Sequence, residues 1–289
     1  MNQPHPSASA TSLFFGAIAD LLRAPGTVAR IAALPVAIFV LLQIPVSFQY
    51  VTWYNTPSES APPTEWVEFL FFLVMLGFVA SAWHRFKVNG VRPSGLWPEV
   101  RFGTAARYVL AWIVIGIIVG LLVVLFVALP VLGIATLIDP VLSQSLGSLV
   151  FPEGIYGGEV SDYGMALYVA VGAVLGLAYI WLLFRMGMGL PSVAVNDGEG
   201  LGMRASWKAT RSLAWPILGA AVFATIGQGL LYGLSMSALW LNGSFDGFDL
   251  TFAGELATRL VTLVVDVVNL LVGAAILTRI YRAVPAGAL

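Results

Sequence analysis

The stretch that decides the fold is YVLAWIVIGIIVGLLVVLFVALPVLGIATLI, which runs from Tyr108 to Ile138 without a charged residue. A helix needs about 20 mainly apolar residues to cross a bilayer, and only helices and closed barrels satisfy their backbone there. This run therefore reads as a membrane span. It is longer than a span requires, and Pro130 falls in its last third, where a missing N–H predicts a kink.

Outward from this run, five more stretches have spanning length: about 31–51, 66–84, 165–193, 215–240 and 256–280. Amphipathic aromatics that settle at headgroup depth mark their ends: Tyr50 and Trp53, Trp66 and Trp83, Tyr108 and Trp112, Trp215 and Trp240, Tyr281. Pro35 and Pro45 predict local irregularity in the first stretch. The expected fold is an all-α polytopic bundle of six transmembrane helices, a single integral-membrane domain over 1–289. Composition agrees, since 59% of the 289 residues are hydrophobic and only 10% charged, against about 25% charged in soluble domains.

The net charge of −1 supplies no basic excess for a phosphate backbone, which argues against nucleic acid as a partner. With no cysteine, disulfides and Cys-based metal sites are excluded. Neither a metal nor a cofactor is expected. Residues 1–11 carry no basic region and read as a disordered tail. The apolar run from Leu13 to Leu22 is interrupted by Asp20 and is too short to cross, so it is no cleavable signal peptide. It predicts an interfacial helix over 12–24, with Leu13, Phe14, Ala17, Ile18, Leu21 and Leu22 on one face.

The loops set an expected direction. Thirteen of the 14 basic residues, from Arg23 and Arg30 through Arg85, Lys87, Arg92, Arg101, Arg107, Arg185, Arg204, Lys208 and Arg211 to Arg279 and Arg282, fall on one side. The other side carries Glu59, Glu65, Glu68, Asp139, Glu153, Glu159, Asp162, Asp246, Asp249 and Glu255, with Arg259 as its one basic residue. By the positive-inside rule the basic side is cytoplasmic, which implies a bacterial-type inner membrane with both termini inside.

Each entry into an odd span looks alike: Gly26 to Arg30, Gly103 to Arg107, and Trp207 to Arg211; each even span ends near an arginine, Arg85, Arg185 or Arg279. Two readings stay open. These are three copies of one helical hairpin, or the positive-inside rule alone has put arginines there, as the unequal separations of 77 and 104 residues suggest.

Between the fourth and fifth stretches, Leu190-Pro191-Ser192-Val193-Ala194-Val195-Asn196-Asp197-Gly198 is followed by Ala205-Ser206-Trp207-Lys208-Ala209-Thr210-Arg211. A span ending in proline, a short acidic turn and an amphipathic "A-S-W" segment before the next span resembles the membrane domain attached to some glycerophosphodiester phosphodiesterases, and related stand-alone bacterial membrane proteins. The resemblance implies a six-span plan. It does not imply phosphodiesterase activity, because no soluble stretch is long enough for the metal-dependent hydrolase domain of those enzymes.

The last stretch holds a polar stripe. Glu255, Arg259, Thr262, Asp266, Asn269 and Gly273 recur at spacings of 4, 3, 4, 3 and 4, which places them on one face of a helix. A charge such as Asp266 near mid-membrane costs about 3 kcal/mol even on permissive scales. One reading makes Asp266 a proton, cation or substrate site with Asn269 beside it and Arg259 as a modulating charge. The other has Asp266 neutral, or bonded to Asn269, Gln228 or a backbone group, as interhelical glue.

Other features are weaker. The pairs Gly116 and Gly120, Gly172 and Gly176, and Gly229 and Gly233 have the spacing that lets helix backbones approach, and predict close packing within the bundle. His84, beside Arg85 at a span end, is expected at the headgroup level rather than as a catalytic base. Asn196 to Gly202 is a turn, since it lacks Gly-Lys-Ser/Thr and a preceding strand. Arg23, Arg204, Lys208 and Arg211 are expected to meet anionic headgroups.

With no nucleophile, metal cluster or acid–base pair in sight, a non-enzymatic scaffold or accessory protein is the first expectation, its partners being membrane lipids and other membrane proteins. A small transporter or channel using the stripe around Asp266 is the alternative. The orientation is tested by reporter fusions: fusions after Arg107 and after Arg211 are expected to report from the cytoplasm, and a periplasmic signal from either overturns it.

Overall fold

The computed structural model describes residues 8–55, 64–96, 100–131, 162–197, 199–241 and 251–284. The tail over 1–7, the end of the third stretch over 132–138, and Glu59, Asp139, Glu153, Glu159, Asp246 and Asp249 lie outside them. The described residues are helical, with no strand: α1 (Ala10–Leu22), α2 (Pro25–Asn55), α3 (Thr64–Asn89), α4 (Phe102–Val123), α5 (Asp162–Met186), α6 (Leu190–Val195), α7 (Met203–Ala209), α8 (Ala214–Leu241) and α9 (Phe252–Ala283). Six helices are long and apolar enough to cross a membrane, and the described residues form an all-α helical bundle.

Two local features follow from proline. α2 runs unbroken through Pro35 and Pro45, so the expected irregularity does not interrupt it. The third span instead widens ahead of Pro130. A π-turn over Val124–Ala128 follows α4, and Leu129 donates to the Val124 carbonyl five residues back. Pro130 has no N–H for the Phe126 carbonyl, and the wider turn makes room for its ring.

Five spanning helices close a ring: α3 packs on α4, α4 on α5, α5 on α8, α8 on α9 and α9 on α3. α2 lies outside it, against α3 and α9. α3 comes close to α4 at Gly77, where a Cβ would fall 3.0 Å from the Ala105 carbonyl oxygen. Large apolar side chains such as Phe48, Leu70, Leu121, Phe126, Leu230 and Leu234 point outward and stay exposed. In water this would be a liability; in acyl chains it is the expected surface.

The fourth candidate span reaches Val195, but its last part is not regular α-helix. α5 ends at Met186, a 3₁₀ turn occupies Gly187–Gly189, and the six-residue α6 continues into the bundle with Leu190 to Ala194 all buried. α6 packs on α3, α4 and α9 and closes the basic end of the ring. Two glycines and Pro191 loosen the helix at this point. A Cβ on Gly189 would fall 2.3 Å from the Leu201 carbonyl oxygen, so only glycine lets the returning chain lie there. Ser192 donates to the Gly189 carbonyl (2.6 Å) and accepts from the Leu201 N–H (2.8 Å), pinning the loop back on α6. Asp197, at φ +51°, turns the chain out of α6. Arg85 donates to its carboxylate at 2.7 Å and Arg107 to its carbonyl at 3.4 Å, while Arg101 lies 3.8 Å from it. The hydrogen bond and charge of Arg85, helped by Arg101, hold the Asp197 carboxyl below the usual aspartate range despite some desolvation. The expected turn is therefore also an electrostatic clasp between α3 and α4.

α1 departs from its expected position. It starts two residues earlier, at Ala10, because Ser9 and Ser12 form a reciprocal capping box, so residues 8–11 are not part of a disordered tail. It docks on α8 and α9 rather than resting on the bundle surface alone. Leu13, Phe14 and Ala17 are buried, with Phe14 stacked on Phe223 at 5.7 Å, whereas Leu22, expected on the same face, is 73% exposed. The three entries into odd spans do not share a local structure either. The first two lie in the opening turns of α2 and α4, the third across α7 and a separate 3₁₀ turn.

Asp20, which interrupts the apolar run of α1, ties that helix down. Its carboxylate accepts from Arg279 Nε of α9 (2.7 Å) and Lys87 Nζ of α3 (3.0 Å). Burial opposes its ionisation, but the bonds and charges of Arg279 and Lys87 outweigh this and hold the carboxyl below its ordinary value of 3.8. A carboxyl lowered on folding contributes stability above its unfolded pKa, and that contribution is lost as pH falls through the folded value. Asp20→Asn is therefore expected to cost about 2 kcal/mol at pH 7 and to lower the thermal midpoint in detergent. As pH falls through the folded value the two midpoints should converge; a constant gap across pH would exclude the ion pair as its origin.

Candidate functional site

The stripe on α9 lines two cavities. The larger, about 680 Å³, lies inside the five-helix ring, and Asp266, Asn269 and Gly273 form its α9 wall. Most of its other surface is apolar, with Phe72 and Leu76 from α3, Leu175 and Ile180 from α5, and the polar groups of Tyr108, Tyr179, Trp112 and Gln228. The smaller, about 500 Å³, lies between α2, α3 and α9 toward the acidic end, lined by Glu255, Arg259, Thr262 and Asp266 of the stripe with Glu68 and Tyr50. Asp266 and Phe72 belong to both walls. Among the described lining residues of the inner chamber there is no lysine or arginine.

Asp266 is held by a residue that sequence reasoning missed. Tyr232 of α8 donates to Asp266 Oδ1, in place of the expected Asn269, Gln228 or backbone partner. The signal was present, since Tyr232 follows Gln228 by four residues and shares its helix face. The other carboxylate oxygen makes no hydrogen bond among the described residues. Asn269 Nδ2, one turn along, is buried and also unpaired. Asn269 Nδ2 is thus an unpaired donor at a cost, while the second Asp266 oxygen is the acceptor left without a protein donor among the described residues.

Arg259 does not reach Asp266 as a modulating charge. Its Nε donates to Glu255 (2.5 Å) and its Nη1 to Glu68 of α3 (2.6 Å), while its guanidinium lies 5.2 Å from the Tyr50 ring centroid. Glu68 was legible as an acidic loop residue, but not as a partner 191 residues away. Two carboxylates on one guanidinium leave this cluster with a formal charge of −1, and Asp266 lies deeper along the same cavity wall.

The glycine pairs do other work than expected. Gly120 and Gly176, with Gly273, have open space where a Cβ would stand and line the inner chamber; only Gly116 has a neighbour, the Tyr179 hydroxyl at 3.4 Å. Gly172, Gly229 and Gly233 likewise meet nothing within 4 Å. The close packing expected at these pairs is absent: Gly120 and Gly176 look into the chamber, whereas Gly229 and Gly233 are exposed.

His84 is fully buried rather than at headgroup level. Thr278 spends its one hydroxyl hydrogen on the Ala274 carbonyl (2.8 Å), so His84 Nδ1 donates to Thr278 (2.8 Å) and Nε2 accepts from Tyr108 (3.0 Å). Both ring nitrogens are engaged, knitting α3, α4 and α9 together beneath the chamber.

The expected headgroup contacts divide. Arg23 is exposed at the end of α1, whereas Arg204, Lys208 and Arg211 line a cavity of about 430 Å³ with Arg185 and Trp207. No group of His, Asp and Glu suited to a metal occurs among the described residues. Comparisons of the chain with protein-family models, with curated proteins and with solved structures find no match.

Proposed function

We propose that this protein binds and moves a small amphipathic cation, or an apolar molecule with a hydrogen-bonding head, along the wall formed by α9. The observation that carries this reading is the position of Asp266, which lines both cavities and keeps one oxygen unpaired. The inner chamber has the volume and apolar lining of a small-molecule site. Its polar groups are few: Asp266, Asn269 and Gln228, with Tyr108, Tyr179 and Trp112. The cluster of Glu68, Arg259 and Glu255 near the acidic end carries a formal negative charge that attracts a cation toward Asp266. The aspartate would exchange a proton or water for the cationic head, which offsets the cost of its own position in the bilayer.

This sets transport ahead of the scaffold first expected, because a scaffold leaves a hollow ring walled by a carboxylate without a purpose. Binding and transport, rather than catalysis, also fit His84, whose two nitrogens are occupied. The positive-inside rule supports a bacterial inner membrane with both termini in the cytoplasm, so that the Glu68 cluster opens outward and α6 faces the cytoplasm.

The test is uptake and binding of tetraphenylphosphonium by proteoliposomes. Asp266→Asn is expected to weaken binding at least tenfold, about 1.4 kcal/mol, with partial retention in Asp266→Glu. Gly176→Leu, whose side chain enters the chamber from an open helix position, should block uptake while leaving the thermal midpoint unchanged or higher. Wild-type uptake that neither Asp266→Asn nor Gly176→Leu alters would sink the proposal, as would a wild type that neither binds the cation nor conducts protons.

A further inference from the structure

At the opposite end from the Glu68 cluster, Arg185 at the end of α5 is 5% exposed and has no carboxylate within salt-bridge distance among the described residues. Its guanidinium lies 3.5 Å from the Trp207 ring centroid and 5.3 Å from that of Trp181. Nη2 donates to the Trp207 carbonyl (3.2 Å) and Nε to Thr210 Oγ1 (3.4 Å), both neutral acceptors. Nη1 makes no hydrogen bond among the described residues. A buried guanidinium with five donors is rarely left to neutral groups alone.

Around it stand three more cations. Arg204, Lys208 and Arg211 are exposed, form no ion pair among the described residues, and line the same cavity of about 430 Å³. Among the described residues no acidic side chain lines it. Arg204 and Lys208 are four residues apart on α7, a like-charge spacing that destabilises a helix unless an anion lies between them. Trp215, 80% exposed and next to the lining residue Ala214, sits where an amphipathic indole marks headgroup depth.

We propose that this cavity is a binding site for the phosphate group of an anionic lipid headgroup, with Arg185 as its fixed floor and Arg204, Lys208 and Arg211 as its rim. Stacking on Trp207 holds the guanidinium plane in place and leaves an edge for bidentate contact with phosphate oxygens, a geometry lysine cannot reproduce. The rim cations neutralise the remaining phosphate charge. The site is separate from the Asp266 chamber and does not depend on it. It differs from the diffuse attraction of any basic surface because one member is buried and oriented before the ligand arrives.

The test uses the full chain in nanodiscs of phosphatidylcholine doped with phosphatidic acid, with bound lipid counted by native mass spectrometry and affinity read by titration. One tightly held phosphatidic acid per chain is expected. Arg204→Gln with Lys208→Gln, both exposed and unpaired, should lower its affinity at least tenfold, since each basic residue near the surface contributes about fivefold. Arg185→Lys should lower it also while keeping the charge. The matched pair Arg23→Gln with Arg30→Gln removes the same charge from the same end and should change affinity far less, because neither residue lines the cavity. Equal losses in the two double variants, or no preference for phosphatidic acid over phosphatidylcholine, overturn the proposal. Inorganic phosphate added to the wild type separates the sources: displacement of the lipid would identify phosphate itself as the sufficient ligand, and retention the lipid headgroup, while failure of both to bind rejects the site.

Discussion

Everything in this bundle is arranged around one constraint: a polar group at bilayer depth has no water to bond and must find its partner in the protein. The backbone meets it by forming helices, and the side chains meet it by sorting. Asp20 gathers Arg279 and Lys87, and Arg259 gathers Glu255 and Glu68, while at the exposed turn beyond the spans Asp197 gathers Arg85 and Arg107. Each of these clusters joins helices that are far apart in sequence. The ion pairs therefore act as clasps that decide which helix stands next to which, while apolar packing against lipid-like neighbours discriminates little.

Not every polar group is paired, since buried atoms of Gln43, Ser47, Ser81 and Trp83 also lack a partner among the described residues. Three groups bear on the cavities: among the described residues Asn269 Nδ2 has no partner, one Asp266 oxygen makes no hydrogen bond, and Arg185 has only neutral acceptors. The first two face a hollow ring and the third a basic cavity. A protein that partners its other buried charges so consistently has reason to leave these open, and a ligand of the opposite character supplies it in both places: a cationic head for the carboxylate and a phosphate for the guanidinium. The short helix α6 separates the chamber from the basic end and is held by Ser192 and Gly189 rather than by apolar contact alone.

Much of this was legible along the chain. Spanning length, aromatic flanks and the polar stripe depend on local periodicity, which does not require knowing what a helix touches. The 3₁₀ turn after Met186 was not read, because LLFRMGMGLPSVAV keeps the hydropathy of a span whether or not its helix is regular. The glycine pairs misled for a similar reason: small residues permit close approach but also leave room, and only the ring geometry says which. α1 was read as amphipathic, correctly for Leu13, Phe14 and Ala17, but its docking depended on Phe223, Gly219 and Arg279, which lie more than 200 residues away.

By itself the sequence determined the solvent and the class: a chain this apolar with this distribution of charge forms an all-α membrane bundle, since free energy of transfer acts on each segment separately. It also determined that α9 is polar along one face. Tertiary structure alone decided what that face looks at. Pairing Tyr232 with Asp266, Glu68 with Arg259 and Arg185 with Trp207 are events between segments. Their energies appear only when two helices meet at a particular register, and no single-segment property encodes that register.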